Sequence, residues 1–285
     1  MDTDKAFKNI QNNIKDEKYE LVRSEVDAIV KANSSDIFIL LKCASLLKVV
    51  DDETGCQSII DMVLKVMPDD PDKKYDIGIA IRNLGRAEEA YNLMKEQSNN
   101  VSRRFEIART LLIIDEAEEA LELMNTIDDK GIREKILLSE ILCSLGEFRS
   151  AYEIAEAITK EDNNSYDSLI NLCTVLIKMG KDKEAIRIAK LYIREDKKNA
   201  DYLALGAYVM RIDGKVSAAA NFANRALQID HTHIGALETM AYCLIEKHKF
   251  IQAKFFAGAI NNKEPGNPTA IKILDECRMM SKTKV

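Results

Sequence analysis

The sequence predicts an all-α protein, built as a right-handed superhelical solenoid of about eight stacked helical hairpins with a capping helix at the C-terminus. Two observations carry this prediction. The 285 residues include only eleven Gly and four Pro, too few for a loop-rich β protein, which needs a turn about every 8–12 residues. A pattern of small residues also recurs at intervals of 34 residues, as expected of a repeat protein.

Composition places the chain among folded, mildly acidic proteins. It is 46% hydrophobic, with 41 basic and 47 acidic residues and a net charge of −6, which argues against disorder and against strong polyanion binding. The start of the chain carries Asp2 and Asp4 and lacks the apolar segment of a secretory signal. No apolar run is long enough to cross a membrane. Six Cys without a CxxC pair favour reduced thiols. We therefore expect a cytoplasmic protein without membrane insertion.

Four copies of the repeat are clear, and each combines a small residue, a turn residue seven positions later and an Ala five positions after that. Small residues allow two helices to approach closely, and a turn glycine supplies the positive φ that ends a helix. Each copy therefore predicts a helix-turn-helix hairpin. The turn positions are Gly146, Gly180, Gly214 and His248, and the Ala positions are Ala151, Ala185, Ala219 and Ala253.

Weaker copies extend the pattern to the N-terminus, with turn positions at Asp51, Gly85 and Asp115. Repeats 71–100 and 101–131 are shorter by residues near Ser98–Asn100 and Asp128–Gly131, so we expect short second helices and a change of superhelical pitch around residues 95–131. The predicted repeats, in one domain over residues 1–285, are 3–36, 37–70, 71–100, 101–131, 132–165, 166–199, 200–233 and 234–267.

The remaining C-terminal segment, residues 268–281, is predicted to form the capping helix. Ile271 and Leu274 fall on one face, with Lys272 and Asp275 elsewhere. Solenoids need terminal caps with a polar outer face. The alternative is a frayed tail.

These hairpins resemble the tetratricopeptide repeat family, whose 34-residue unit follows the signature LGxxY…A…F…A…P. The Pro of the signature occurs only at Pro68 and Pro265, each followed three positions later by a Pro that would open the next helix, Pro71 or Pro268. The resemblance implies that first helices line a concave groove and second helices form the convex surface. It also implies a non-catalytic protein-protein interaction adaptor or scaffold.

In that family, places two, five, nine, twelve and thirteen of each repeat face the groove. Here the fifth and ninth places are rich in apolar and aromatic residues, which would bind a peptide or an amphipathic helix. Two arginines could contact acidic groups. The alternative is that tight superhelical curvature buries these side chains. The candidate partner-binding residues are Leu41, Tyr75, Ile79, Arg82, Phe105, Arg109, Ile136, Ile170, Tyr208 and Tyr242.

The best-known groove chemistry of the family is a Lys/Asn/Arg clamp that binds the C-terminal carboxylate of large heat-shock chaperones. Its Lys and Asn would occupy the fifth and ninth places of one repeat, and no repeat here has that pair. Chaperone-tail binding by this clamp is therefore disfavoured, and the identity of a partner stays open.

The sequence offers no catalytic or cofactor site. It has no GxGxxG, Walker-type, GxSxG or HExxH motif. His231 and His233 straddle a predicted turn, but a metal would need further ligands. Cys56 and Cys173 take small-residue places, which predicts buried, unreactive thiols. We expect no enzyme activity, no cofactor and no metal; an enzyme or nucleic-acid factor without a recognisable motif is the alternative from another class.

Charge is unevenly distributed along the second helices. The segment Asp115–Glu122 has five acids and no base, whereas Lys181–Lys198 has seven bases and four acids. Such runs are usually solvated helix faces. Nucleic-acid binding would need a cleaner basic stripe with stacking aromatics, so none is expected. Opposite-sign patches could instead join copies, which keeps a self-assembling, oligomeric scaffold as the second functional hypothesis.

Overall fold

The fold is described from a computed structural model, which covers residues 3–16, 18–50, 52–162, 164–264 and 267–282. Within these ranges the regular structure is helical, with seventeen α-helices and one short 3₁₀ turn. The all-α, hairpin-repeat fold class is therefore confirmed. The chain divides into two compact units, an N-terminal unit (Met1–Gln97) and a C-terminal unit (Ser98–Val285). The prediction of a single domain stays a prediction.

The N-terminal unit consists of helical hairpins that begin at capped residues. The Asp36 carboxylate accepts a hydrogen bond from the Ile39 amide at 3.1 Å, which satisfies a backbone donor that has no partner within the helix. Asp70 precedes Pro71 at the first helical position, where a proline fits because no backbone donor is needed there. Its helices are α1 (Thr3–Lys15), α2 (Tyr19–Ala32), α3 (Ile37–Val49), α4 (Glu53–Lys65), α5 (Pro71–Asn83) and α6 (Ala87–Met94), and the 3₁₀ turn is Lys95–Gln97.

The C-terminal unit contains the four clear repeats. Several of its first helices begin with a side-chain cap. The Asn199 side chain, for example, accepts a hydrogen bond from the Tyr202 amide at 3.1 Å. Its helices are α7 (Val101–Ile113), α8 (Ala117–Asn125), α9 (Ile132–Ser144), α10 (Phe148–Glu161), α11 (Tyr166–Lys178), α12 (Asp182–Glu195), α13 (Ala200–Ile212), α14 (Val216–Ile229), α15 (Ile234–Glu246), α16 (Phe250–Lys263) and α17 (Pro268–Lys282).

The short second helices predicted for the two short repeats are present. Helix α6 has 8 residues and α8 has 9, whereas α10, the next second helix, has 14. The boundary between the two units, at Gln97 and Ser98, falls in the same stretch. Helix bounds elsewhere agree with the predicted repeats, and α17 lies where the cap is expected.

The repeat residues do what their spacing predicts. Ala151, Ala185 and Ala219 have no exposed surface, and the Cys173 thiol lies 3.9 Å from the Ala185 carbonyl, so small side chains let the paired helices meet. Each described turn position has a positive φ, including 72° at Gly180 and 57° at His248. Asp51, the turn position predicted for the second repeat, lies outside the described residues.

First and second helices occupy different layers of the C-terminal unit. Each of α7, α9, α11 and α13 packs directly on the next first helix, and α15 packs in the same way on α17. Second helices make their main contacts with neighbouring first helices instead. The first helices therefore form the inner layer and the second helices the outer layer. Helix α17 closes the last hairpin with Ala270, Ile273 and Cys277, which are fully buried.

Candidate partner-binding surface

Four of the ten predicted partner-binding residues are buried: Leu41, Tyr75, Arg82 and Phe105. The Phe105 ring, for example, lies 3.8 Å below the guanidinium of Arg133 from the next first helix. A buried side chain offers a partner no contact area unless the protein rearranges, so we leave these four out of the candidate surface.

The other six residues are half-buried. Ile79 is in the N-terminal unit. The remaining five lie on five consecutive first helices of the C-terminal unit, α7, α9, α11, α13 and α15, which pack in series. We call this set the inner strip. It consists of Arg109, Ile136, Ile170, Tyr208 and Tyr242.

Hydrogen bonds and ring contacts fix the two tyrosines of the inner strip. The Thr174 hydroxyl donates to the Ile170 carbonyl at 2.7 Å, so it accepts from the Tyr208 hydroxyl, 2.9 Å away. The Arg211 guanidinium lies 4.6 Å from the centre of the Tyr242 ring and 5.9 Å from that of Tyr208, within range of a cation–π interaction. Side chains held in this way lose little entropy when a partner binds.

Two carboxylates stand beside the inner strip. Burial raises the pKa of Glu238 on α15, and the positive charge of Arg211 opposes that rise. Burial likewise raises the pKa of Glu140 on α9, against the charge of Arg109, although the Glu140 side chain keeps contact with solvent. The strip therefore places charged groups of both signs between its apolar and aromatic side chains.

The inner layer is filled at the N-terminal ends of α11, α13 and α15. The Tyr166 ring packs edge-on against His233, with centroids 4.9 Å apart, and its hydroxyl reaches Gly235, where a Cβ would come within 1.9 Å of the oxygen. The His233 Nδ1 accepts from the Ala236 amide at 3.3 Å, so Nε2–H donates to Asp201, 3.0 Å away. This end of the inner layer is therefore packed by contacts within the protein.

Exposed apolar residues occur at the C-terminal ends of two first helices. Ile113 at the end of α7 is 48% exposed, and Ile212 at the end of α13 is 38% exposed. Both occupy place thirteen, which the family resemblance assigns to the groove. The sequence prediction missed them, together with Arg211 at place twelve, because it used mainly the fifth and ninth places. Reading the last two places as well would have found all three.

The described residues show no arrangement suited to metal chemistry. No group of three or more His, Cys, Asp and Glu in these ranges could hold a metal ion, and His233 serves as a helix cap. Burial raises the pKa of the Cys43 thiol to about 11 and that of Cys173 to about 12. Thiols that stay protonated at neutral pH are poor nucleophiles.

Comparison with protein families identifies the repeat. Residues 142–207 match the family model of the tetratricopeptide repeat. The repeat that the sequence pattern predicts is thus confirmed for this part of the C-terminal unit. No curated protein sequence matches the chain significantly.

Several solved structures are similar to the chain, and the first of them supports the fold. A tetratricopeptide repeat protein from Parabacteroides merdae is 11% identical, covers 85% of this chain and 98% of its own, and superposes with a TM-score of 0.53. Yeast Tom70 is 14% identical over 94% of this chain, with a TM-score of 0.48, and this chain spans 60% of its length. The Thermus thermophilus protein TTC0263 is 14% identical over 74% of this chain and 100% of its own, with a TM-score of 0.42. At such identities the likeness concerns the fold alone.

The search for membrane-spanning helices gives a negative result for the described residues. None of the helices there combines the length and the apolar character that crossing a bilayer requires.

Proposed function

We propose that the protein is a non-catalytic scaffold whose C-terminal unit binds a peptide or an amphipathic helix along the inner layer of first helices. The observation that carries the proposal is the half-buried inner strip, which continues over five packed helices. Exposed Ile113 and Ile212 follow Arg109 and Tyr208 by four residues on α7 and α13. Apolar side chains exposed in a row on a rigid surface are typical of helix-in-groove recognition.

The chemistry of the strip suggests what the partner presents. Ile136 and Ile170 would contact apolar anchors, while Tyr208 and Tyr242 offer large, fixed rings of the kind enriched among binding hot spots. Arg109, half-buried at the start of the strip, would pair with an acidic group of the partner. The expected ligand is therefore a segment with spaced apolar residues and at least one carboxylate.

Affinity capture with two matched variants tests the proposal. Ile113→Glu with Ile212→Glu places two charges at the ends of the inner helices α7 and α13, whereas Ile251→Glu with Phe255→Glu places two on the outer helix α16, where these side chains are 85% and 74% exposed. All four positions are solvent-accessible, so both variants should keep the helical signal and the melting temperature.

A protein that is captured by the wild type and the α16 variant, and lost with the Ile113/Ile212 variant, is the expected result. Equal capture by all three baits would show that binding does not use the inner layer. Tyr75 and Phe105 are unsuitable for this experiment, because charging a buried side chain would unfold the protein rather than block a partner.

The second hypothesis, a self-assembling scaffold, is favoured by a separate observation. Helices α8 and α12 of the outer layer carry exposed side chains of opposite charge. The two hypotheses involve different surfaces, so each can be tested by itself.

A further inference from the structure

Each outer helix of the C-terminal unit has a buried Ala at the same place of its repeat. Two positions counted from this Ala are exposed on every one of these helices. On α8 these positions carry acids, and on α12 they carry bases. On α10 charges of both signs occur, on α14 the residues are neutral and polar, and on α16 they are apolar. The two positions lie two residues before and two residues after that Ala, for example Glu118 and Glu122 around Ala120, and Lys183 and Arg187 around Ala185.

The basic face of α12 is a continuous stripe. Lys183, Arg187, Lys190 and Arg194 follow spacings of four, three and four residues, which keeps them on one side of a helix over roughly 16 Å. All four are exposed. Leu191, which follows Lys190 on the same helix, is 53% exposed and offers an apolar contact to a molecule that binds the stripe.

Few acids of the same molecule neutralise this stripe. Arg187 lies 3.8 Å from Glu184, a long contact between side chains that are both in solvent. The structure shows no ion pair within 4.0 Å for Lys183, Lys190 or Arg194 with any described residue. The stripe therefore keeps a local positive charge although the whole chain carries −6.

The acidic face of α8 has the complementary arrangement. Glu118 and Glu122 are exposed and one turn apart, and neither forms an ion pair with a described residue. Exposed Asp115 and Glu116 extend the face toward the preceding turn, and there is no base from Asp115 to Glu122. The face therefore offers negative charge without a cation of its own.

Helix α10, which lies between α8 and α12 in the repeat order, shows the contrast. Its outward charges pair with each other: Arg149 lies 3.2 Å from Glu153, and Lys160 lies 2.9 Å from Glu156. Opposite charges on one outer helix thus neutralise one another, whereas the charges of α8 and α12 are sorted by sign onto two helices that make no principal contact within one molecule.

We propose that the basic face of α12 in one molecule binds the acidic face of α8 in a second copy. The faces are opposite in charge and agree in helical register, because Glu118 and Glu122 stand at the positions equivalent to Lys183 and Arg187. The two surfaces of the contact are different, so the contact is heterologous and leaves a free face at each end, from which further copies can add. This inference involves outer helices and holds whether or not the inner strip binds a partner.

The physical chemistry of exposed charges sets the character of this contact. Exposed ion pairs are individually weak, so several pairs give weak, reversible association. Screening acts over about 10 Å at 0.1 M salt and about 3 Å at 1 M. Association should therefore rise with protein concentration and disappear at high salt.

Sedimentation velocity of the full chain, at low salt and in high salt, tests the proposal with charge-reversal variants. Lys190→Glu with Arg194→Glu reverses two charges of the basic face, and Glu118→Lys with Glu122→Lys reverses two charges of the acidic face. Each variant alone should raise the dissociation constant at least tenfold, whereas an equimolar mixture of the two should associate again. All of these positions are exposed, so every variant should fold and keep the helical signal of the wild type.

The control is Arg149→Glu with Lys160→Glu on α10, which changes the net charge by the same amount as reversal of the basic face and should leave association intact. A wild type that stays monomeric at low salt and high concentration would overturn the proposal. So would association that survives both reversals, or a mixture that fails to recover. The Ile113→Glu/Ile212→Glu variant should associate normally, which separates this result from failure of partner binding.

Discussion

Helices α15 and α16 belong to the same hairpin, yet each uses its glycine in a different way. Gly235 in α15 lies in the inner layer, where a Cβ would meet the Tyr166 hydroxyl at 1.9 Å. Gly258 in α16 lies in the outer layer, where a Cβ would meet nothing within 4 Å. Inner helices are confined by their own partners and by the next first helices, while outer helices keep a free face. That face can vary without affecting the packing.

The largest effect on stability should come from replacing each of these two glycines with Ala. Gly235→Ala forces Tyr166 or the α15 backbone to move, and overpacking of this kind costs about 1–3 kcal/mol. Gly258→Ala should stabilise its helix by about 0.5–1 kcal/mol, because Gly costs that much relative to Ala inside a helix. Thermal unfolding followed by circular dichroism should show opposite shifts, and shifts of the same sign would contradict the division into layers.

Turn positions give the next largest effect. Gly180 has a φ of 72° and His248 one of 57°, in the left-handed region that costs a residue with a side chain about 1–2 kcal/mol. Gly180→Ala should therefore lower the free energy of unfolding by about 1 kcal/mol, and His248→Gly should raise it by a smaller amount. Urea unfolding measures both. If both substitutions change the free energy of unfolding in the same direction, the two turns are not equivalent in backbone conformation.

Glu238 gives the inner layer a dependence on pH. Burial raises its pKa above the ordinary value of 4.5, so the folded state favours the protonated form. Its contribution to stability is then present below about pH 4.5 and is lost as the pH rises through the folded pKa. Glu238→Gln should therefore gain stability relative to the wild type between pH 4 and pH 7, measured by urea unfolding at several pH values. A difference that shrinks as the pH rises would contradict the sign of the shift.

The smallest effect is expected on the outer layer. Arg149 and Glu153 pair at 3.2 Å, but both are highly exposed, and exposed i,i+4 pairs contribute about 0.3–0.5 kcal/mol. Arg149→Ala should change the free energy of unfolding by no more than that, in the same urea experiment. A loss above 1 kcal/mol would show that outer-face charges do support the fold.

Much of this architecture follows from the sequence because it depends on local spacing. Ala185 and Gly180 occupy places at which a hairpin requires a small residue and a positive φ, whichever repeats surround it. The shortness of α6 and α8 follows from residues missing in their repeats. Spacing alone was therefore enough to locate the helices and the turns.

The candidate site was less predictable, because the exposure of a fifth-place residue depends on how closely neighbouring first helices pack. Phe105 and Ile170 occupy the same place in their repeats, yet the first is buried and the second half-buried. The contact of Tyr166 with Gly235 joins residues two repeats apart, so no pattern within one repeat could reveal it. Burial of this kind requires the packed structure.

The central claim is that the inner layer of the C-terminal unit is the surface that binds a partner. Photo-cross-linking tests it most directly, with the photoreactive residue p-benzoylphenylalanine placed at position 212 on α13 or at position 255 on α16. Both wild-type residues are exposed apolar side chains. If the inner layer binds the partner, position 212 should give a cross-linked partner and position 255 should give none. The same adduct from position 255 alone would contradict the claim.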